Sequence, residues 1–234
     1  MDIAVACVVL IATLPLLLPI ILLLRFTAEG EVFYFQNRVG YRKRNFRIWK
    51  FATMLKNSPN MLTGSLTVRN DPRVTTMGKF LRMTKINELP QVINVLLGDM
   101  TLVGPRPQME VDFKDFSASV QAKIYDVKPG ITGIGSIVFR DEEALFNHTD
   151  LSPRQYYQQC IAPYKGALEM WYQAHMSLAT DVKIIFLTAW YIFFPKSSLV
   201  YRFFPNLPVP PAFEAVSRTN ERRKTANQLE PVAY

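Results

Sequence analysis

Asn87-Glu88 and Gly104-Pro105-Arg106-Pro107 bracket the short apolar run of residues 89–103, and these two ends are where chemistry is expected. A glutamate in the first turn of a helix is stabilised by the helix dipole and stays ionised, ready to hold a cation. The same turn offers free backbone N–H groups that suit a phosphate. Arg106, fixed between two prolines, brings a planar fork that matches phosphate oxygens. An acid near a rigid arginine suits phosphate chemistry with a metal ion. The plainer alternative makes Asn87 an N-cap and Glu88 a surface acid that complements the dipole.

The elements that must position these residues are short. Residues 31–40 and 44–51 alternate apolar with polar, carry aromatics, and read as two strands around a Tyr41-Arg42-Lys43 turn. A polar loop covers 55–70, a basic helix 76–86 (Lys79, Arg82, Lys85), and a short helix 88–97 has Pro90 in its first turn and Gly98 past its end. An amphipathic helix is expected over 108–125, then a turn at Pro129-Gly130, then helices over 153–175 and 177–194. The fold class is mixed α/β, mostly helical with a few short strands.

Residues 3–24 contain no charge. Such a helix, at roughly 1.5 Å per residue, could cross a bilayer core of about 30 Å. Asp2 replaces the basic start of a signal peptide, and no small-residue cleavage site follows. Pro15 and Pro19 each remove an intrahelical donor near the middle, which favours a kink. Arg25, Arg38, Arg42, Lys43, Arg44, Arg47 and Lys50 follow closely and place the C-terminal flank in the cytoplasm. A straight span and a re-entrant hairpin both fit these residues. A second apolar stretch, Ile184 to Pro195, is too short to span; with Trp190, Tyr191, Tyr201, Phe203 and Phe204 it reads as an interfacial element, the alternative being a buried core helix. The expected division is a membrane segment 1–26, a cytoplasmic catalytic domain 27–205 with interfacial helices, and a polar tail 206–234.

Composition narrows the function classes. Lys and Arg (27) outnumber Asp and Glu (19) in 234 residues, so anionic lipid, nucleic acid or a phosphorylated small substrate are the natural partners. Cys7 and Cys160 give neither a disulfide framework nor a zinc site, and His148 and His175 are too scattered for a His-based metal centre. In the basic stretch 38–50, Phe46, Ile48 and Trp49 alternate as in a strand rather than forming a stacking platform, so nucleic acid is not expected and anionic membrane lipid is. Asp181 reads as a helix N-cap or a partner of Lys183, and Asp99 as an acid just past a short helix.

Several segments in register carry a resemblance over roughly residues 2–190. They are Phe35-Gln36-Asn37-Arg38-Val39-Gly40; Ile48-Trp49-Lys50-Phe51-Ala52-Thr53-Met54; Asp71-Pro72-Arg73-Val74-Thr75 with Gly78 and Leu81-Arg82; the stretch 87–107; Pro129-Gly130-Ile131-Thr132-Gly133 with Arg140; and Asp181-Val182-Lys183-Ile184. Together they resemble the monotopic bacterial sugar transferases, the polyprenyl-phosphate phosphoglycosyl transferases. The resemblance implies transfer of a sugar-1-phosphate from a UDP-sugar to undecaprenyl phosphate with Mg²⁺, releasing UMP. That would be the first membrane step toward an exopolysaccharide, lipopolysaccharide O-antigen or capsule. It implies a place on the cytoplasmic face of the bacterial inner membrane, with a re-entrant helix-break-helix whose break is Pro15, thirteen residues after Asp2. Glu88 takes the place of the metal ligand, and Lys50, Arg73, Arg82, Arg106 and Arg140 are the implied phosphate-binding set. A second copy of the chain, or glycosyltransferases acting later, are the candidate protein partners.

The family usually carries aspartate where this chain has Asn87, and that aspartate is its nucleophile on the β-phosphorus. An amide has no basic oxygen that could attack phosphorus and leave again. Three readings stay open: direct attack by the lipid phosphate, assisted by Glu88 and the metal; another carboxylate such as Glu88 as nucleophile; or a silent chain, natural or engineered, that binds lipid or nucleotide sugar or scaffolds the pathway.

Overall fold

The computed structural model describes residues 2–210 except 28, 59–60, 62–65, 68–69 and 147–150. The expected tail therefore lies outside the described residues beyond position 210, as does His148.

Helix α1 (Asp2–Phe26) runs through both Pro15 and Pro19. The expected apolar membrane segment is therefore present as one helical element with both prolines inside it. Each proline has a φ that suits a helix but removes one hydrogen bond and crowds the carbonyl four residues back, so both are held inside α1 at a cost. One stripe of α1 is buried. Ala6 packs with Ile48, Val92, Val95 and Met100, while Leu17, Ile20 and Leu24 pack with Phe51 and Leu81. The other face exposes Ile3, Val8, Ile11, Leu14, Leu18 and Leu22. The Asp2 carboxylate accepts from the Thr101 hydroxyl, so the start of the helix is fastened to the same body as its end.

Strands β1 (Phe33–Val39) and β2 (Asn45–Phe51) form the expected antiparallel hairpin, with Phe33 opposite Phe51 and Val39 opposite Asn45. A 3₁₀ turn at Tyr41–Lys43 joins them, with Arg42 and Lys43 in the left-handed region. Phe33, Phe35, Trp49 and Phe51 share one face and stack edge-on and flat at 4.7–5.5 Å. Their alternation sends Lys50 to the opposite face.

Helix α2 (Thr76–Met83) is capped by Thr75, whose hydroxyl accepts from Gly78 N. A single 3₁₀ turn, Ile86–Glu88, then leads through Pro90 into α3 (Gln91–Leu96), which ends at Gly98 with φ +84°. Beyond it β3 (Thr101–Val103) pairs in parallel with β4 (Gly130–Thr132). The expected turn at Pro129-Gly130 is therefore the start of a strand. The approach is tight, since a Cβ on Gly130 would lie 2.1 Å from Gly104 N. Only glycine fits there, and that contact sets the turn carrying Arg106.

The helix expected over 108–125 is two, α4 (Glu110–Phe113) and α5 (Ala118–Lys123). Phe116, 3% exposed, drops into the core between them, and Ser117 caps the second by accepting from Val120 N. Short helices α6 (Ile134–Val138) and α7 (Glu142–Leu145) follow. Then α8 (Pro153–Tyr156) continues through a π-helical stretch, Tyr157–Ile161, into α9 (Ala162–Ala174). The main core gathers on α9 and on α10 (Leu178–Phe193), with Leu168, Tyr172, Ile184 and Leu187 fully enclosed.

Helix α10 divides the two readings of its segment. Ile184, Leu187 and Tyr191 are core, while Ile185, Phe186, Ile192 and Phe193 are exposed. Asp181 is neither the N-cap nor Lys183's partner: Ser177 caps α10, and Asp181 accepts from the Tyr172 hydroxyl at 2.8 Å. The final short helix is α11 (Leu199–Phe203).

Candidate active site

Glu88 is the centre of the site, and three elements converge on it. It closes the 3₁₀ turn between α2 and α3, so it points back toward β2 and the turn after β3. Lys50 Nζ reaches its Oε1 at 3.4 Å from β2. Arg106 grips both oxygens, Nη2 to Oε1 at 2.7 Å and Nη1 to Oε2 at 3.4 Å. Side-chain exposures of 14% for Glu88, 15% for Lys50 and 32% for Arg106 leave the guanidinium the most open of the three.

Electrostatics follow from this packing. Burial alone would raise the Glu88 pKa, but Arg106, Lys50 and Lys85 outweigh it and hold the carboxylate well below its usual range. Burial pulls the Lys50 ammonium down to about 7 against the pull of Glu88. Arg106 is shifted upward, chiefly by Glu88. The result is an ionised carboxylate inside a cationic wall.

The turn that presents Arg106 is pinned from several sides. Arg38 Nη1 donates to Pro107 O at 3.1 Å and its Nη2 to Gln36 Oε1. The Tyr125 hydroxyl donates to Arg106 O at 2.9 Å and accepts from Gln108 N at 2.8 Å. Behind the turn, Glu169 Oε1 lies 3.5 Å from Arg106 N, and its carboxyl fills the space a Cβ on Gly135 would need. Glu169 is 3% exposed, and burial raises its pKa to about 8. The native state therefore keeps a proton that the unfolded chain gives up near 4.5. The stability from this group is present below 4.5 and is lost as pH rises through about 8. Glu169→Gln should flatten that fall, measured as melting temperature against pH across the window; an unchanged slope would show that Glu169 titrates normally.

The sequence-derived candidates are not all brought together. Lys50, Glu88 and Arg106 are in contact. Arg82 Nη2 pairs with Glu143 at 2.8 Å, and Arg82 and Arg140 both act on the Lys85 ammonium at the rim of the cluster. Arg73 stands apart. Its guanidinium is 1% exposed, pairs with Asp71, and donates to the carbonyls of Ser58, Met61 and Leu66. Its guanidinium is engaged with Asp71 and with these three carbonyls. Asn87 is buried at 9% exposure, and its Oδ1 has no hydrogen-bond partner among the described residues. Pro15 lies within α1, away from this cluster in sequence and element.

Lys85, Tyr125, Arg38 and Glu169 belong to the site, and sequence reasoning gave none of them this role. A lone acid on the otherwise apolar Leu168–Tyr172 face was the readable signal for Glu169. Lys85 was hidden among the basic residues of the preceding helix.

Among the described residues no three His, Cys, Asp or Glu side chains cluster to form a metal cage. Mg²⁺ does not require one, since it commonly takes one or two carboxylates and fills its shell with substrate phosphates and water. The ionised Glu88 carboxylate and the unpartnered Asn87 amide oxygen, on successive residues, are hard oxygen donors that fit such an ion.

The chain is 35% identical over 201 residues to the UDP-glucose:undecaprenyl-phosphate glucose-1-phosphate transferase of Klebsiella pneumoniae, covering 84% of this chain and 40% of that protein. It is 39% identical over 140 residues to a UDP-N-acetylgalactosamine-undecaprenyl-phosphate N-acetylgalactosaminephosphotransferase of Aeromonas hydrophila, covering 59% of this chain and 33% of that one. An exopolysaccharide production protein of Sinorhizobium fredii is 32% identical over 155 residues, 60% of this chain and 68% of its own length. The chain thus spans between one third and two fifths of the length of the first two relatives. The pattern of the bacterial sugar transferase family matches residues 1–195, which takes in α1, the hairpin, the Glu88 turn and the Arg106 turn alike. With more than four fifths of its length matched, this chain belongs to the bacterial sugar transferases.

Proposed function

We propose that the protein transfers a sugar-1-phosphate from a UDP-sugar to undecaprenyl phosphate, releasing UMP, at the start of a surface glycan. The observation that carries this is the single ionised carboxylate of Glu88 gripped by Lys50 and Arg106 beside a helix that exposes apolar side chains. Such a site meets a soluble diphosphate on one side and a lipid phosphate on the other. The names of the relatives give a UDP-sugar and undecaprenyl phosphate as their substrates.

Glu88 and Asn87 would hold Mg²⁺, which supplies charge neutralisation to the phosphates when bound. The rest falls to the chain. Arg106 offers its fork to phosphate oxygens, and Lys50 adds a point charge. Glu88, held strongly ionised between two cations, is a poor nucleophile. Asn87 cannot attack. The lipid phosphate oxygen therefore attacks the β-phosphorus directly: a P–O bond forms there, the bond from the β-phosphorus to the α-phosphate oxygen breaks, and UMP leaves with that electron pair.

The membrane placement we propose is re-entrant, on the cytoplasmic face of the inner membrane. Its support is that Asp2 and Leu24 dock on the same body, the one that also carries the basic residues after the helix. The exposed face of α10, with Phe186 and Phe193, would lie at headgroup depth against anionic lipid.

The test is UMP release from a panel of UDP-sugars with undecaprenyl phosphate and Mg²⁺. The wild type should turn over with sequential kinetics and form no phosphosugar adduct without lipid. Asn87→Asp should form that adduct, seen by intact mass, and shift toward ping-pong kinetics. The amide at Asn87 favours a second reading, a silent homologue; a wild type that releases no UMP until Asn87→Asp restores it would establish that one.

A further inference from the structure

Strand β2 has a strand neighbour on one side only, since the sheet it forms with β1 has two strands. Its other edge would leave backbone groups without partners where it packs on α3. Asn94 covers that edge. It lies on α3 and is 0% exposed. Its Oδ1 accepts from Trp49 N at 2.9 Å, and its Nδ2 donates to Arg47 O at 2.8 Å. The side-chain amide thus stands where the peptide of a third strand would stand, bridging the residues on either side of Ile48. Ile48 itself packs on Val92 and Val95 of the same helix.

In the sequence Asp99 is an acid just past a short helix, set against the dipole. In the structure it braces Asn94. Asp99 Oδ2 accepts from Asn94 Nδ2 at 3.3 Å, and Asp99 N donates to Asn94 O at 2.9 Å. Both polar atoms of the Asn94 amide are then engaged. Turning the amide over would set donor against donor at Trp49 and acceptor against acceptor at Arg47.

The consequence for the site is geometric. Glu88 ends the turn that runs through Pro90 into α3, so Glu88 and Asn94 belong to one continuous piece. Lys50 follows directly on Trp49 in β2. Asn94 therefore fastens the strand that carries Lys50 to the piece that carries Glu88. The contact of 3.4 Å between Lys50 Nζ and Glu88 Oε1 spans the same two pieces. Apolar packing at Ile48 is non-directional and tolerates a slide along the strand, whereas the paired hydrogen bonds do not. A slip of one residue would send Lys50 to the other face.

Resting on the reaction proposed above, we propose that Asn94, braced by Asp99, is a positioning residue: it fixes the register of β2 against α3 so that the Lys50 ammonium stands beside Glu88 and meets a substrate phosphate.

The experiment is a mutant cycle on the full-length protein in nanodiscs: wild type, Asn94→Ala, Lys50→Met and the double variant. UDP binding by calorimetry, kcat/KM for UMP release and melting temperature are read for each. Lys50→Met should weaken UDP binding by about tenfold, the loss expected of one charge-assisted hydrogen bond. Asn94→Ala should lose most of that factor with Lys50 intact, yet change binding by less than about twofold in the Lys50→Met background. The same pattern is expected in kcat/KM. A structural role alone would lower the melting temperature and cost the same factor in both backgrounds, and that result overturns the inference. So does a folded Asn94→Ala that binds UDP as the wild type does. A Lys50→Met without effect on UDP binding overturns it too, since nothing would need positioning. If Asn94→Ala does not fold, Asp99→Ala takes its place in the cycle with the same outcomes. Asp99→Asn, which keeps an acceptor for Asn94 Nδ2, should lose less than Asp99→Ala. A wild type that binds UDP but releases no UMP would sink the reaction, while the binding cycle still decides Asn94. A wild type that does neither overturns both.

Discussion

Glu88→Gln is expected to lower the rate of UMP release by at least about a hundredfold, equivalent to ~2.7 kcal/mol of transition-state stabilisation. The side chain keeps its shape, so the loss isolates the charge. Three consequences add in the same direction. The amide is a poorer Mg²⁺ ligand, so the Mg²⁺ concentration needed for half-maximal activity should rise. Arg106 and Lys50 lose the carboxylate they share, at 2.7 and 3.4 Å, and are free to turn away from the geometry that meets phosphate. The Gln Nε2 also brings N–H donors against cations where an acceptor stood. Because a partly buried pair is broken, some stability is lost too. Activity is therefore compared at a temperature well below both melting transitions, with the folded fraction measured alongside. A variant that keeps more than about a tenth of wild-type turnover would mean that Glu88 is a framework acid and that the reacting phosphates lie elsewhere.

Much of this site was readable because its residues sit at signals that act over a few positions. The hairpin was visible from period-two alternation and a three-residue basic turn, and it fixes Lys50 on one face. The apolar run closed by Gly-Pro-Arg-Pro located Arg106; Glu88 was singled out for a place in the first turn of a helix, whereas it closes a 3₁₀ turn ahead of α3 and owes its charge to Arg106 and Lys50. What failed was longer in range. Pro129-Gly130 looks like a turn until Gly104 is brought 2.1 Å from where a Cβ would be, a contact that no local pattern announces. The 108–125 stretch has helical periodicity throughout, yet Phe116 is worth more in the core than in a continuous helix, so the chain breaks at Ser117. Glu169 acquires its role from Arg106, sixty-three positions away along the chain. Lys85 differs again: its basic neighbours were legible, but a left-handed φ was not, because lysine is not the residue that signals it.

Arg73→Met should destabilise the fold by about 3–5 kcal/mol, as breaking a buried ion pair does. Read in sequence, Arg73 belongs with Lys50, Arg82, Arg106 and Arg140 as a cation for phosphate. In the structure its Nη2 lies 2.6 Å from Asp71 Oδ2, and its remaining N–H groups are spent on Asp71 and on carbonyls of Ser58, Met61 and Leu66. Removing it takes the guanidinium from the Asp71 carboxylate, which is 2% exposed, and releases the carbonyls of Ser58, Met61 and Leu66. Methionine fills much of the volume but satisfies none of those acceptors. The buried charge left without its guanidinium should account for much of the loss, so Asp71→Asn with Arg73→Met should be less damaging than the two single changes added together. Thermal melting of the four proteins gives that coupling, with a fall on the order of 10 °C expected for the single Arg73 change. KM for the UDP-sugar, taken below the melting transition, should stay at the wild-type value. The opposite pattern, an unmoved melt with a raised KM, would return Arg73 to the phosphate-binding set and would require its five-donor cage to open when substrate arrives.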